Sequence, residues 1–173
     1  SEGLVKEETI DRSLKRLFVT RLKLGIIGNE TSRFDAISYS ENDSATNKQL
    51  NLKIAEKSMT LLKNNGILPL DKRNIKKIAV IGPNADSRAA LQGNYSGTAS
   101  KYYTVLDGLR SYLGDDAEVL YAQGCHLFKD QVEGCAEQDD RSSEAAGIAE
   151  LSDIVVLCLG LDATIEGGQG DAF

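Results

Sequence analysis

Three carboxylates fall in one glycine-rich stretch of this 173-residue chain: Asp162, Glu166 and Asp171, within Gly160-Leu161-Asp162-Ala163-Thr164-Ile165-Glu166-Gly167-Gly168-Gln169-Gly170-Asp171. A carboxyl group works as a general acid near neutrality when burial lifts its pKa, so one carboxylate projecting into a cleft is the first chemical reading. The plainer reading is an acidic surface loop whose glycines serve turns. The residue types alone leave both open. A second stretch pairs Pro83-Asn84-Ala85-Asp86-Ser87 with Gly93-Asn94-Tyr95-Ser96-Gly97, which supplies polar groups and an aromatic ring. A dinucleotide fingerprint would need G-x-G-x-x-G opening a helix directly after a strand, and here Gly82 is followed by Pro83. No loop ends in Gly-Lys-Ser/Thr, so a nucleotide phosphate site is not expected.

Metal and redox chemistry have little to draw on. The three cysteines, Cys125, Cys135 and Cys158, lack Cys-x-x-Cys spacing, and the single histidine is His126, so four convergent zinc ligands are not expected. Cys158 lies in an apolar run and reads as a buried core thiol. Cys125 and Cys135 bracket an irregular stretch and could form a disulfide in an oxidising compartment. The compartment itself stays open. Net charge is −6, unevenly spread: residues 1–114 hold 18 Lys and Arg against 12 Asp and Glu, residues 115–173 hold two against 14. An acidic half does not suit a nucleic-acid partner. It reads as a solvated acidic face, or as a surface for a neutral or cationic partner. The longest apolar run, Ile154 to Leu161, is too short to span a bilayer, so no membrane partner is expected. No charged-then-apolar leader opens the sequence, so no signal peptide is expected in it.

The elements that must position these residues follow from periodicity. Apolar residues at helical spacing from Lys6 to Gly25 predict a basic amphipathic helix, and 26–44 reads as a linker. A second helix is expected from Ala45 to Asn64, capped by Asp43 or Ser44, with Leu50, Ile54, Ser58 and Leu61 on one face. Asn65-Gly66 then turns the chain. Beyond it, KIAVIG (77–82), EVLYA (118–122) and DIVVLCLG (153–160) read as strands without alternation, the kind buried on both faces. Helices are expected at 104–113 and 143–151, with a short one at 86–91. Strands alternating with helices predict an α/β fold with a parallel sheet, whose ligands meet the loops at the carboxyl ends of the strands. Both stretches named first occupy such loops. Three strands are few for such a sheet, so the domain is expected to be incomplete.

Taken in order, these segments resemble the family 3 glycoside hydrolases, closest to the branch of β-xylosidases and α-arabinofuranosidases, with β-glucosidases nearby. SLKRLFVTRLKLG resembles the last helix of that family's (β/α)8 barrel. AEKSMTLLKNNGILPL is similar to the family's approach to its second domain. KIAVIGPNAD, QGNYSGTASKYYTVLDGL and VLYAQGC resemble the first strands and loops of a Rossmann-like α/β sandwich, and AELSDIVVLCLGLDATIEGGQGD resembles a later strand and its loop. The resemblance covers nearly the whole chain. It implies a division into a last barrel helix (1–25), an interdomain linker (26–44) and the first, incomplete part of the C-terminal sandwich (45–173). It implies a retaining enzyme that removes terminal β-linked glucose, xylose or arabinose units. Such an enzyme uses a carboxylate nucleophile and a carboxylic general acid/base, with no cofactor and no metal. Glu166 is the residue that matches the acid/base, and Tyr95 matches an aromatic position on the leaving-group side. No part of the chain resembles the barrel segment with the nucleophile, so that residue is expected outside it. The partners implied are a glycoside or oligosaccharide substrate and the missing barrel domain. Relatives often carry an acidic residue where Gly168 stands, and Asp-Arg where this chain has Asp171-Ala172. Without the resemblance, the alternative is a non-catalytic α/β module that binds a ligand or partner domain.

Overall fold

Val80 and its neighbours are β-branched or small and apolar, and they suit an extended segment shut off from water. In the computed structural model, which describes residues 4–28, 31–93, 95–127 and 141–165, Lys77–Ile81 forms strand β1, buried along nearly its whole length. Glu118–Ala122 is β2 and Ile154–Leu157 is β3. The sheet is parallel in the order β2-β1-β3, with Ile78 opposite Val119 and Ile154. This is the α/β architecture that the alternation of strands and helices predicts.

Helix α3, Val105–Leu113, follows β1, and α4, Ser142–Glu150, follows β2. Leu106 and Leu113 are buried on one stripe of α3. They join Ile75, Ile78, Val80 and Ala85 in the apolar clusters on one sheet face. The crossover from β2 back over β1 to β3 runs in the opposite direction, which puts its helix on the other face. There Ala145 of α4 and the Ile81 side chain crowd Gly124, which sits at φ +74° and has no room for a side chain. Thr104 caps α3 by accepting from Asp107 N–H at 3.1 Å, and Gly114 ends it with φ 56°.

The sheet is not buried on both faces throughout. β1 is, but β3 alternates, and Val155 and Leu157 remain 41% and 63% exposed. The expected strand 153–160 is shorter because Asp153 and Gly160 do other work. Asp153 N–H donates to the Lys77 carbonyl at 2.9 Å, and Asp153 Oδ2 accepts from the backbone N–H groups of Lys76 and Lys77. Gly160 turns the chain at φ 150°. The helix expected at 86–91 is one 3-10 turn, Ala89–Leu91.

The chain divides into two compact units, Ser1–Leu61 and Leu62–Phe173. The first holds α1, Glu7–Lys23, and α2, Ala45–Ser58, neither of which has a buried residue. The apolar face expected on α2 is therefore solvent-facing, and the helix stops six residues short of Asn64. Ser58 Oγ donates to the Ala55 carbonyl at 2.8 Å, and Met59 is extended. Ser44, rather than Asp43, caps α2 by accepting from Asn47 N–H. Asp43 instead pairs with Lys48 at 3.1 Å. In the second unit, the Asn64 side chain, expected to lie in the helix, spans the turn at Asn65-Gly66. Its Oδ1 accepts from the N–H groups of Gly66 and Leu68, and its Nδ2 donates to the Leu68 carbonyl. Among the described residues no helix is long and apolar enough to cross a membrane.

Candidate functional site

The carboxyl edge of the sheet gathers the loops that the sequence singled out. β1 leaves through Gly82 at φ 131°, where a Cβ would lie 2.2 Å from the Cys158 carbonyl oxygen. Only glycine lets the exits of β1 and β3 approach so closely. Three hydrogen bonds hold the strand exits together: Gly82 N–H to the Ala122 carbonyl at 3.1 Å, Cys158 N–H to Ile81 at 2.7 Å, and Asn84 N–H to Cys158 at 3.2 Å. The first and last strands thus open onto one shared edge.

From this edge the chain makes an excursion and returns. Leu106 N–H donates to the Ala85 carbonyl at 3.0 Å, and Thr104 Oγ1 donates to Asp86 Oδ1 at 3.0 Å. Between Asp86 and Thr104 the described residues, including the 3-10 turn Ala89–Leu91, form an excursion closed at its root. Tyr95 lies on it, wholly exposed (100%). Tyr102 is half-buried nearer the root. Its hydroxyl oxygen accepts from Gln92 Nε2 at 2.7 Å and from Ala99 N–H at 3.1 Å. The Arg88 guanidinium stands 5.4 Å from the Tyr102 ring centroid, and Lys101 Nζ 4.4 Å from that of Tyr103.

The loop after β3 begins in order. Asp162 is buried, and its Oδ1 accepts from Thr164 N–H at 2.9 Å and from the Thr164 hydroxyl, while Ile165 N–H returns to the Asp162 carbonyl. This carboxylate shapes a turn, so of the three sequence candidates it is the one with a structural job in view. Glu166, Gly168 and Asp171 lie outside the described residues. So does Cys135, whereas Cys125 and Cys158 are free thiols. Cys158 is half-buried rather than fully so, and burial pushes its thiol pKa up.

Three further residues stand at this edge without having been given a role from sequence. Asn84 Oδ1 is buried with no hydrogen-bond partner among the described residues. Asp86 anchors the capping threonine of α3. Tyr121, near the end of β2, has its phenol pKa raised, first by burial, then by the Asp86 charge, with Arg141 opposing. The signal for the first two was Pro-Asn-Ala-Asp directly after a strand. For Tyr121 it was an aromatic at a strand's penultimate position. Among the described residues no group of three His, Cys, Asp or Glu could hold a metal ion.

Comparison with known proteins gives concordant matches. A family model described as the glycosyl hydrolase family 3 C-terminal domain matches residues 59–173. The chain is 39% identical over 165 residues to a protein of Arabidopsis thaliana named "Probable beta-D-xylosidase 7", covering 94% of this chain and 20% of that protein. It is 36% identical over 169 residues to a beta-xylosidase of Formosa agariphila, covering 94% of this chain and 22% of the relative. Among solved structures it resembles a GH3 exo-beta-xylosidase (XlnD) in complex with a xylobiose aziridine activity-based probe. The TM-score is 0.75 at 30% identity, over 99% of this chain and 21% of that one. The chain thus spans about a fifth of the length of these relatives.

Proposed function

The chain belongs to glycoside hydrolase family 3, and from that premise we propose that it forms part of a retaining, exo-acting glycosidase. The reaction is removal of terminal β-linked xylose, glucose or arabinose units, and this segment supplies the acid/base loop. Residues 1–25 are then the end of the barrel, 26–44 the linker and 45–173 the opening part of the sandwich domain. The observation that carries the reading is the shared carboxyl edge. The excursion bearing Tyr95 leaves and returns there, and the segment leading to Glu166 departs from the same place, bound backbone to backbone through Cys158.

Each residue has a defined task in this reading. Glu166 protonates the glycosidic oxygen as the bond breaks, then takes a proton from the water that releases the sugar. Its partner is a carboxylate nucleophile from the barrel, roughly 5–5.5 Å away, the separation that retention needs. Two carboxyl groups suffice, so no metal or organic cofactor enters. Tyr95 offers a ring to the C–H face of the leaving sugar, and its full exposure leaves that ring available.

Glu166→Ala in the full-length protein tests this. Turnover should fall by about 10²- to 10⁴-fold on substrates with poor leaving groups, which need the proton. The loss should be much smaller on nitrophenyl glycosides, and azide should restore part of it by replacing the water. Equal loss on both substrate types would remove Glu166 from the acid/base role.

A further inference from the structure

We propose that Tyr102 is a positioning residue for the leaving-group side of the site, its phenol oxygen clasping the loop that presents Tyr95. The inference rests on the reading of Tyr95 given above. Gln92 and Ala99 stand at the two ends of the stretch that contains Tyr95, and both donate to the same oxygen, at 2.7 and 3.1 Å. One atom therefore ties the loop's two ends together. Within the stretch, Ser96 N–H donates to the Gly93 carbonyl at 3.1 Å, which makes a turn around Tyr95.

The clasp matters because the Tyr95 ring is wholly exposed and, among the described residues, only the turn between Gly93 and Ser96 and the phenol oxygen tie its loop. The stretch is bounded by Gly93 and Gly97, whose backbones are permissive. A ring on such a loop loses binding strength to the cost of ordering it, unless the loop is ordered beforehand. Tyr102 can do that ordering because it is itself anchored. It lies two residues before Thr104, which is buried, caps α3 and donates to Asp86. The Arg88 guanidinium near its ring adds a second hold. Order passes from the helix cap, through the phenol oxygen, to the exposed ring.

The test uses the full-length protein and two substrates. Cleavage of xylobiose expels a xylose that can stack on Tyr95, whereas the leaving group of β-xylosyl fluoride is a single atom with no ring to offer. Tyr102→Phe keeps the ring and removes the clasping oxygen. The ratio of kcat/KM for xylobiose to that for the fluoride should fall about 5- to 10-fold, mostly through KM. Gln92→Leu, which removes one of the two bonds, should shift the ratio the same way by less. Tyr95→Ala should lower the ratio too, and adding Tyr102→Phe to it should cost little more. An equal loss on both substrates would mean that Tyr102 only supports the fold, and would overturn the proposal. A normal ratio in Tyr102→Phe beside a lowered one in Tyr95→Ala would overturn the clasp while Tyr95 kept its role. A normal ratio in Tyr95→Ala would overturn the reading of Tyr95 and the clasp with it.

Discussion

Asp153 shows how one side chain can fix a strand in place. Its carboxylate accepts from two consecutive backbone N–H groups where β1 begins, at 2.8 Å from Lys76 and 2.9 Å from Lys77, while its own N–H donates to the Lys77 carbonyl. Those bonds favour the charged form and hold its pKa below the usual carboxylate value, the bond from Lys77 counting most and that from Lys76 next. The linkage follows from the sign of the shift. A depressed folded pKa gives stability that is fully present above the unfolded value of about 3.9 and is lost as pH falls through the folded one. Urea midpoints measured against pH should therefore drop in the acid range. Asp153→Asn should be less stable at neutral pH and show a shallower acid slope. Asp71, lowered by its bonds with Arg73, should keep part of that slope in the variant. Parallel slopes for variant and parent chain would show that Asp153 does not act this way.

At the scale of elements, Gly82 decides whether the carboxyl edge exists. A Cβ there would meet the Cys158 carbonyl oxygen at 2.2 Å, and the backbone sits at φ 131°. Gly82→Ala should therefore destabilise the chain by about 2–5 kcal/mol, since strained backbone and a clash with fixed main chain add. Gly66 is the control: it shares a positive φ of 96° but has nothing within 4 Å. Gly66→Ala should cost only the strain, about 1 kcal/mol. Similar losses in urea denaturation would mean that β3 yields, and that the two loops are less tightly joined than they look. The strands themselves were legible in the sequence, because KIAVI, EVLYA and IVVL carry β-branched and apolar residues without a polar face. Helix α3 was legible for its threonine cap and its Leu106 and Leu113 stripe. What the sequence did not show depended on which partner a polar side chain meets, nearby or far along the chain. At the end of α2 the Ser58 hydroxyl bonds back to the Ala55 carbonyl, and no residue of the helix is buried. The root of the Tyr95 loop is set by Asp86 meeting Thr104, 18 positions apart. The turn formed by Asp162 was hidden among carboxylates of the same type. The proposal for Glu166 rests on the family resemblance alone, since no pattern of spacing separates it from Asp162 and Asp171.

For the molecule as a whole, the exposed apolar surface and the proposed chemistry lead to one expectation. Neither α1 nor α2 buries a residue, and Leu157, Leu159 and Leu161 are each more than half exposed at the β3 side of the sheet. Buried apolar area is the main source of folding stability, at about 25 cal/mol per Å², so surface left open contributes nothing. The 173-residue chain by itself should therefore be weakly stable in its first unit. Hydrogen exchange at α1 and α2 should be fast, while β1 in the second unit stays protected. It should also fail to hydrolyse nitrophenyl β-xyloside or β-glucoside. A retaining mechanism needs two carboxyl groups roughly 5–5.5 Å apart, and the reading above places only one of them here. Robust turnover by the purified chain would mean that both groups lie within it, and Glu166 would have to share its site with a carboxylate of this same segment. Adding a separately produced barrel segment provides the complementary measurement. If that segment both slows exchange at α1 and restores hydrolysis, the same missing surface covers the open helices and completes the carboxylate pair. Recovery of protection without activity would confine the partner's role to the fold.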